Sequence, residues 1–445
     1  MDRIVKENLM TDTSSLVRPV TPPERVSIEE HLQLVSALPA TPGTVTLPLS
    51  MCLGLVTAED IVARLEVPPF TNSAMDGFAV CFDDVSAATP NTPVTLPVTA
   101  DVPAGSPADY PLKVGTAQRI MTGAHMPEGA DTVVKVEDTD HAVGVFDAPA
   151  TVTIMRAPAA GANVRHHGEA LTVGDLVLSA GTSLTPEALT AAAAVGYGDL
   201  RVHPAPRIGV LTTGSELSEA GEPLDRGKIP DSNGVLLAGL VHSYGGIITE
   251  QAKVPDDPTR LRELITSWQV DLVVTAGGIS MGAYEVVRQG LPELTFHPVA
   301  QQPGGPQGIG LIGSTPVMAL PGNPVGAYVS FHVYVVPLIA RLRGLPPDGT
   351  HEMPAEASII LDSVLNRPIK RAPAAASWRS PVSKTQFMPV RWVAGGVAPV
   401  HSLGSQSHVV TALPATDGLA IVDPGVDHVD IGNELSILLT RRNSP

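Results

Sequence analysis

Two stretches, Pro230-Asp231-Ser232-Asn233 and Gly277-Gly278-Ile279-Ser280-Met281-Gly282-Ala283-Tyr284-Glu285, stand where a strand should give way to a helix. Such turns hold anions and metals in α/β proteins, because helix-start N–H groups are unpaired and glycine lets backbone close on a ligand. Asp231 and Glu285 offer carboxylate oxygens to a divalent cation such as Mg²⁺, while Gly277, Gly278 and Ser280 offer N–H and hydroxyl groups to a phosphate or oxyanion. Each stretch also has a plainer reading. Asp231 and Ser232 are good helix N-caps, contributing about 1 kcal/mol, and GGISMG alone is a tight turn. In a doubly wound sheet the loops beyond the strand carboxyl ends share one face, so Asp231, GGISMG and the Pro321-Gly322-Asn323-Pro324-Val325 turn should converge on one crevice.

Other motifs compete with this reading. Gly278-Ile279-Ser280-Met281-Gly282 matches the G-x-S-x-G nucleophile elbow, but a hydrolase would have to recruit His297, His332, His401 or His408 with no supporting motif around any of them. Gly308 to Gly313, GIGLIG, matches a dinucleotide fingerprint formally. That chemistry needs a following helix, and Pro316 with a β-prone run follows, so a glycine-rich hairpin is expected. Asp76 in Ser73-Ala74-Met75-Asp76-Gly77 reads locally as a turn, and Thr122 in Arg119-Ile120-Met121-Thr122-Gly123 as a strand-end hydroxyl.

The elements that must carry these residues follow from periodicity. Ile28, Leu32 and Val35 line one helix face ahead of Pro39, and β-prone runs broken by Pro and Gly fill residues 56–155. Thr185-Pro186-Glu187 opens an Ala-rich helix, after which strand and helix alternate: Arg207 to Thr212, the Leu237/Leu240/Val241/Tyr244 stripe, Ile247 to Val254, the Asp257-Pro258 cap, and Asp271 to Ala276. A parallel sheet covered on both faces is expected. The helix from Gly326 should be kinked by Pro337, which removes the bond to the Val333 carbonyl. Beyond Leu345-Pro346-Pro347-Asp348-Gly349 short strands and turns predict a small β-barrel or sandwich.

Composition narrows the partners. Against 28 basic residues stand 45 acidic ones, a net charge of −17 that repels nucleic acid and anionic membrane surfaces. Cys52 and Cys81 have no metal-site spacing and suit a reducing compartment. The polar N-terminus lacks a signal pattern, and the apolar Val325 to Leu342 run is interrupted by His332 and Pro337, so a soluble cytoplasmic protein is expected.

In order along the chain, PPFTNSAMDGFAV, RIMTGAHMPEGADTVVKVEDT, LTTGSEL, PDSN, GGISMG, PGNPV and SQSHVVTALPATDG resemble the molybdopterin molybdenumtransferase family, the bacterial MoeA proteins and the gephyrin E domain, over roughly residues 24–442. The resemblance implies a multidomain α/β plus β homodimer. Its parts would be an elongated crossover domain from 23–55 and 156–184, an inserted β-rich domain at 56–155, an adenylyltransferase-like doubly wound domain at 185–345, and a C-terminal β-barrel at 346–445; the polar residues 1–22, read as a disordered lead-in, lie outside the resemblance. It implies Mg²⁺-dependent cleavage of adenylylated molybdopterin, with release of AMP and insertion of molybdate into the dithiolene. A molybdopterin adenylyltransferase upstream and apo-molybdoenzymes downstream become candidate partners. Carried over by residue, Asp231, Asp76 and Ser280 would be catalytic, with Asp231 and Glu285 at the metal. Thr122, Gly277, Gly278, Ser232, Pro321, Pro324 and Glu187 would bind substrate, with Asp76 and Thr122 facing the crevice from the partner chain.

Departures from the family pattern also stand in the sequence. Ala283-Tyr284-Glu285 replaces a pair of acids around an aromatic, Gln302-Pro303-Gly304-Gly305-Pro306 lacks two expected lysines, and Glu169-Ala170 lacks one acid. Lys228 and Arg165 are candidate compensating cations. The missing charges motivate the alternative of a non-catalytic carrier or scaffold that binds molybdopterin species. An adenylyltransferase is disfavoured by the lack of a GGTG-type loop.

Overall fold

Apolar runs without alternation, such as Leu272–Ala276, form strands buried on both faces. They build a six-stranded sheet in the order Ile247–Val254, Arg207–Thr213, Leu272–Ala276, Thr315–Leu320, Pro306–Ile312 and Thr295–Pro298. The first four strands run parallel, as the βα alternation predicts. Pro306–Ile312 runs antiparallel to both of its neighbours, Thr315–Leu320 and Thr295–Pro298, so the sheet is mixed rather than wholly parallel. The reason is the GIGLIG segment: with no helix to carry the chain across, Pro306–Ile312 turns back at Gly313 and pairs with Thr315–Leu320 as a hairpin.

The computed structural model describes residues 25–106, 110–142, 147–280, 285–346, 369–406 and 409–440. The expected lead-in at 1–22, the Met281-Gly282-Ala283-Tyr284 stretch and the opening of the C-terminal segment (347–368) lie outside them. Two compact units divide the chain: Gly43–Pro204, and Met1–Pro42 combined with Ala205–Pro445.

In the larger unit, helix Ile28–Ala37 is closed at its start by a Ser27/Glu30 capping box. Its Ile28, Leu32 and Val35 join Ile208, Val274, Leu320 and Phe331 in one core, so a helix nearly two hundred residues upstream completes the α/β layer. Helix Ser232–Ser243 is N-capped by Asp231 and Pro258–Ser267 by Asp257. The helix Pro324–Leu342 is long and apolar enough to cross a bilayer, yet it is buried in this core. The expected disturbance before Pro337 takes the form of a π-helical turn at Phe331–Val335, after which α-helix resumes. The remaining strands, Ile369–Pro373, Thr385–Val393, Gly396–Pro399, Gly418–Val422 and Glu434–Leu439, pair antiparallel around a separate core that includes Trp378, Met388 and Ile437. The short strand Gln301–Gln302 joins this second sheet by parallel pairing with Thr385 and Gln386.

The smaller unit holds a five-stranded sheet ordered Thr132–Lys135, Gly77–Val80, Ala117–Ile120, Val94–Val102 and Thr151–Ile154. Its Ala-rich helix Pro186–Ala194, capped by Thr185, packs Ala188 and Ala192 with Ile61, Leu184, Leu200 and Val202, so this helix belongs with the residues before it and the contact boundary falls after Pro204.

Candidate functional site

The strand Arg207–Thr213 ends in a glycine, Gly214, and the loop that follows leads to Asp231 at the start of helix Ser232–Ser243. Asp231 caps that helix: its Oδ1 accepts from the Gly234 N–H at 3.0 Å, and its Oδ2 accepts from the Thr212 hydroxyl at 2.6 Å. A fixed carboxylate with lone pairs to spare is the result.

Two glycine loops lie beside it. Gly277 and Gly278 follow strand Leu272–Ala276 with φ of +97° and +65°, and a Cβ on Gly277 would come within 2.6 Å of the Thr213 carbonyl oxygen. The Pro321-Gly322-Asn323-Pro324 turn follows strand Thr315–Leu320, and a Cβ on Gly322 would meet the Gly277 Cα at 3.2 Å. The loops therefore touch backbone to backbone, which only glycine permits. Glu285 folds over the first loop and accepts from the Ser280 N–H at 2.7 Å.

These loops surround a chamber of about 1120 Å³. Asp231, Ser232, Gly277, Gly278, Ser280, Glu285, Pro321 and Pro324 all line it, so the expected convergence of three strand-end loops is present within the larger unit. The opposite wall is the Gln302-Pro303-Gly304-Gly305-Pro306 loop together with Lys384 and Ser405, brought there by the pairing of Gln301–Gln302 with Thr385–Gln386. Two lining atoms, Thr213 Oγ1 and Asn233 Oδ1, are buried and find no hydrogen-bond partner among the described residues.

The charge of the lining is lopsided. Glu216, Asp231, Asp256 and Glu285 are acidic, and Lys384 is the one cation among the described lining residues. Lys228 does not line the chamber, because its ammonium is spent on the Ser215 carbonyl. Arg165 lies in the other unit, as do Asp76, Thr122 and Glu187. There the Asp76 Oδ1 accepts from the Thr122 N–H at 2.7 Å and its hydroxyl at 2.8 Å, and these bonds hold the Asp76 carboxyl below the usual range. Glu187 sits in the first turn of its helix, its carboxyl lowered by the Thr185 side chain and the helix-start N–H.

A family model described as "MoeA N-terminal region (domain I and II)" matches residues 26–196, one described as "Probable molybdopterin binding domain" matches 209–341, and "MoeA C-terminal region (domain IV)" matches 371–440. Molybdopterin molybdenumtransferase 2 of Mycobacterium tuberculosis is 38% identical over 424 residues, spanning 92% of this chain and 98% of that one. The chain belongs to the MoeA family. Molybdopterin molybdenumtransferase of Haemophilus influenzae is 34% identical over 317 residues, 70% of this chain and 76% of that one. Among solved structures, the molybdopterin biosynthesis MoeA protein from Pyrococcus horikoshii OT3 matches with a TM-score of 0.74 and 26% identity, over 94% of this chain and 100% of that one. These MoeA relatives share a multidomain α/β plus β architecture with it.

The chamber of this MoeA chain contains residues that sequence reasoning passed over. Thr213 and Asn233 were inside quoted motifs, and their unpartnered atoms emerge only from packing. Lys384 carried no local signal, because it reaches the chamber through pairing between segments more than eighty residues apart. Among the described residues no three His, Cys, Asp or Glu side chains gather as a ready-made metal cage. Asp231 and Glu285 both line the chamber, and carboxylate oxygens are the ligand type that Mg²⁺ takes alongside waters and phosphate.

Proposed function

We infer that the chain is a transferase that inserts molybdenum into molybdopterin, the activity named for its curated relatives. The observation that carries the reading is the chamber at the strand ends, lined mainly by the segment that the molybdopterin-binding model matches and also by Lys384 and Ser405 of the C-terminal segment.

The finer reading takes adenylylated molybdopterin and molybdate as substrates. Thr213 and the N–H groups around Gly277 and Gly278 would donate to phosphate oxygens, Asn233 Oδ1 would accept from a donor group of the substrate, and Lys384 with the Pro321–Pro324 turn would hold the oxyanion. Asp231 and Glu285 would hold Mg²⁺. When bound, that ion supplies positive charge against the phosphate oxygens as AMP leaves. Asp231 acts as a fixed acceptor, since Gly234 and Thr212 set its orientation before any ligand arrives, and Ser280, also in the lining, would offer its hydroxyl. The parts of Asp76, Thr122 and Glu187 rest on the family resemblance alone. The same reading carries a cytoplasmic homodimer, an adenylyltransferase-like α/β domain and a C-terminal barrel, supplied by a molybdopterin adenylyltransferase and feeding apo-molybdoenzymes.

The test is direct. Purified protein given adenylylated molybdopterin, molybdate and Mg²⁺ is expected to release AMP and to yield cofactor that reconstitutes an apo-molybdoenzyme. Binding of the substrate without AMP release would replace the enzyme with a carrier.

A further inference from the structure

The helix Pro324–Leu342 is apolar along almost its whole length, yet it places the Ser330 and Tyr334 hydroxyls in the core, both fully buried. Polar groups there cost free energy unless every one finds a partner. Their partners are two buried glutamines. The Tyr334 hydroxyl donates to Gln301 Oε1, and Ser330 Oγ accepts from Gln307 Nε2 at 2.6 Å. Each glutamine also turns its amide nitrogen toward the chamber loop. Gln301 Nε2 donates to the carbonyls of Pro303 and Gly304, both at 3.0 Å, and Gln307 Nε2 donates to the Gly304 carbonyl at 2.6 Å.

Both amides thus converge on one carbonyl at the centre of the loop. Gly304 has φ of +85°, and a Cβ there would press on Ser330 Oγ at 2.7 Å and the Gly326 carbonyl oxygen at 2.9 Å, so the loop lies directly on the helix. The Val299 N–H donates to the Gly305 carbonyl at 2.7 Å and fixes the far side. Prolines fix φ at two positions of this loop, but its two glycines leave the centre without side chains to hold it. The shape comes from beneath.

We propose that Tyr334 and Gln307 are positioning residues for the insertion reaction: through Gln301 and Gly304 they hold the Gln302–Pro306 wall of the chamber in the form that receives substrate. Neither residue lines the chamber itself. This rests on the function inferred above for the chamber, and it adds residues that touch no substrate. With Gln302 and Gly305 in place of cationic side chains, the wall meets the ligand chiefly as shaped backbone, so rigidity takes the place of charge.

The test uses the full-length protein with Tyr334→Phe, which removes one hydroxyl, and Gln301→Glu, which keeps the acceptor for Tyr334 but loses the N–H groups given to Pro303 and Gly304. Steady-state AMP release should show KM for adenylylated molybdopterin raised about tenfold with kcat within about twofold. Hydrogen exchange should quicken at Val299, whose N–H is held by the Gly305 carbonyl of this loop, and stay unchanged in strands Leu272–Ala276 and Thr315–Leu320. Wild-type KM and wild-type exchange in both variants would overturn the proposal, as would a fall in kcat with KM and Val299 exchange unmoved. Should Tyr334→Phe fail to fold, Ser330→Ala carries the same expectations through Gln307. If the wild-type protein turns nothing over, the inferred function fails, whereas Val299 exchange with and without molybdate still decides the positioning claim.

Discussion

Asn233 donates its side-chain amide to the Gly322 carbonyl across 2.6 Å, tying the start of one helix to the turn that opens another. Its Oδ1 is left buried and unpartnered beside the chamber. One amide therefore fastens two loops and keeps an acceptor in reserve. Asn233→Ala should raise KM for adenylylated molybdopterin about tenfold and lower the unfolding midpoint by a few degrees, measured by AMP release and thermal unfolding. A Gly322 loop that behaves as in wild type would refute the tie.

Asp231→Asn separates cap from charge. Asparagine caps a helix as well as aspartate does, so the thermal midpoint should stay within about a degree. AMP release should fall on the order of a hundredfold, since the fixed negative acceptor is gone. Near-normal turnover would remove Asp231 from the chemistry.

Lys384→Gln removes the one cation among the described lining residues. Molybdate affinity, read by titration calorimetry, should weaken about tenfold, and the residual binding should depend less on ionic strength. An unchanged dissociation constant would place the oxyanion elsewhere.

Stability should fall in mild acid because of a buried imidazole pair. His31 Nδ1 lies 2.8 Å from His297 Nε2, and burial, with His297 alongside, lowers the His31 pKa to about 3. His297 is lowered by burial as well. A folded pKa below the unfolded value means that the native state favours the neutral ring. The stability is fully present above the unfolded pKa, near 6.5, and is lost as pH falls toward 3, at up to about 1.4 kcal/mol per pH unit for His31 alone. Urea unfolding at pH 7 and pH 5 should show the drop, and His31→Phe should flatten it. Equal slopes in the two proteins would refute the assignment.

Much of this architecture was legible because its signals are local. The Leu272–Ala276 run, the Asp257-Pro258 cap and the proline after GIGLIG each specify a strand, a helix start or a hairpin within a few residues, and each element formed. The chamber's three strand-end loops followed from topology alone. What escaped was set by distance along the chain. Helix Ile28–Ala37 reads as an ordinary amphipathic helix, and nothing near it says that its face completes a core built after residue 205. Lys384 looks like a turn residue until Gln301 pairs with Thr385. Ser330 and Tyr334 carry no signal of their own within an apolar helix, because the two glutamines that satisfy them come from a different part of the chain.

The backbone contact between Gly277 and Gly322 has a genetic corollary. With an added Cβ on Gly322 meeting the Gly277 Cα at 3.2 Å, neither loop can shift without displacing the other. In a saturation library the two positions should behave as one locus: both intolerant, and each rescued by second-site changes that map to the other's loop. Drift in this enzyme would then proceed through paired substitutions, with single steps at either glycine purged before the second could arise.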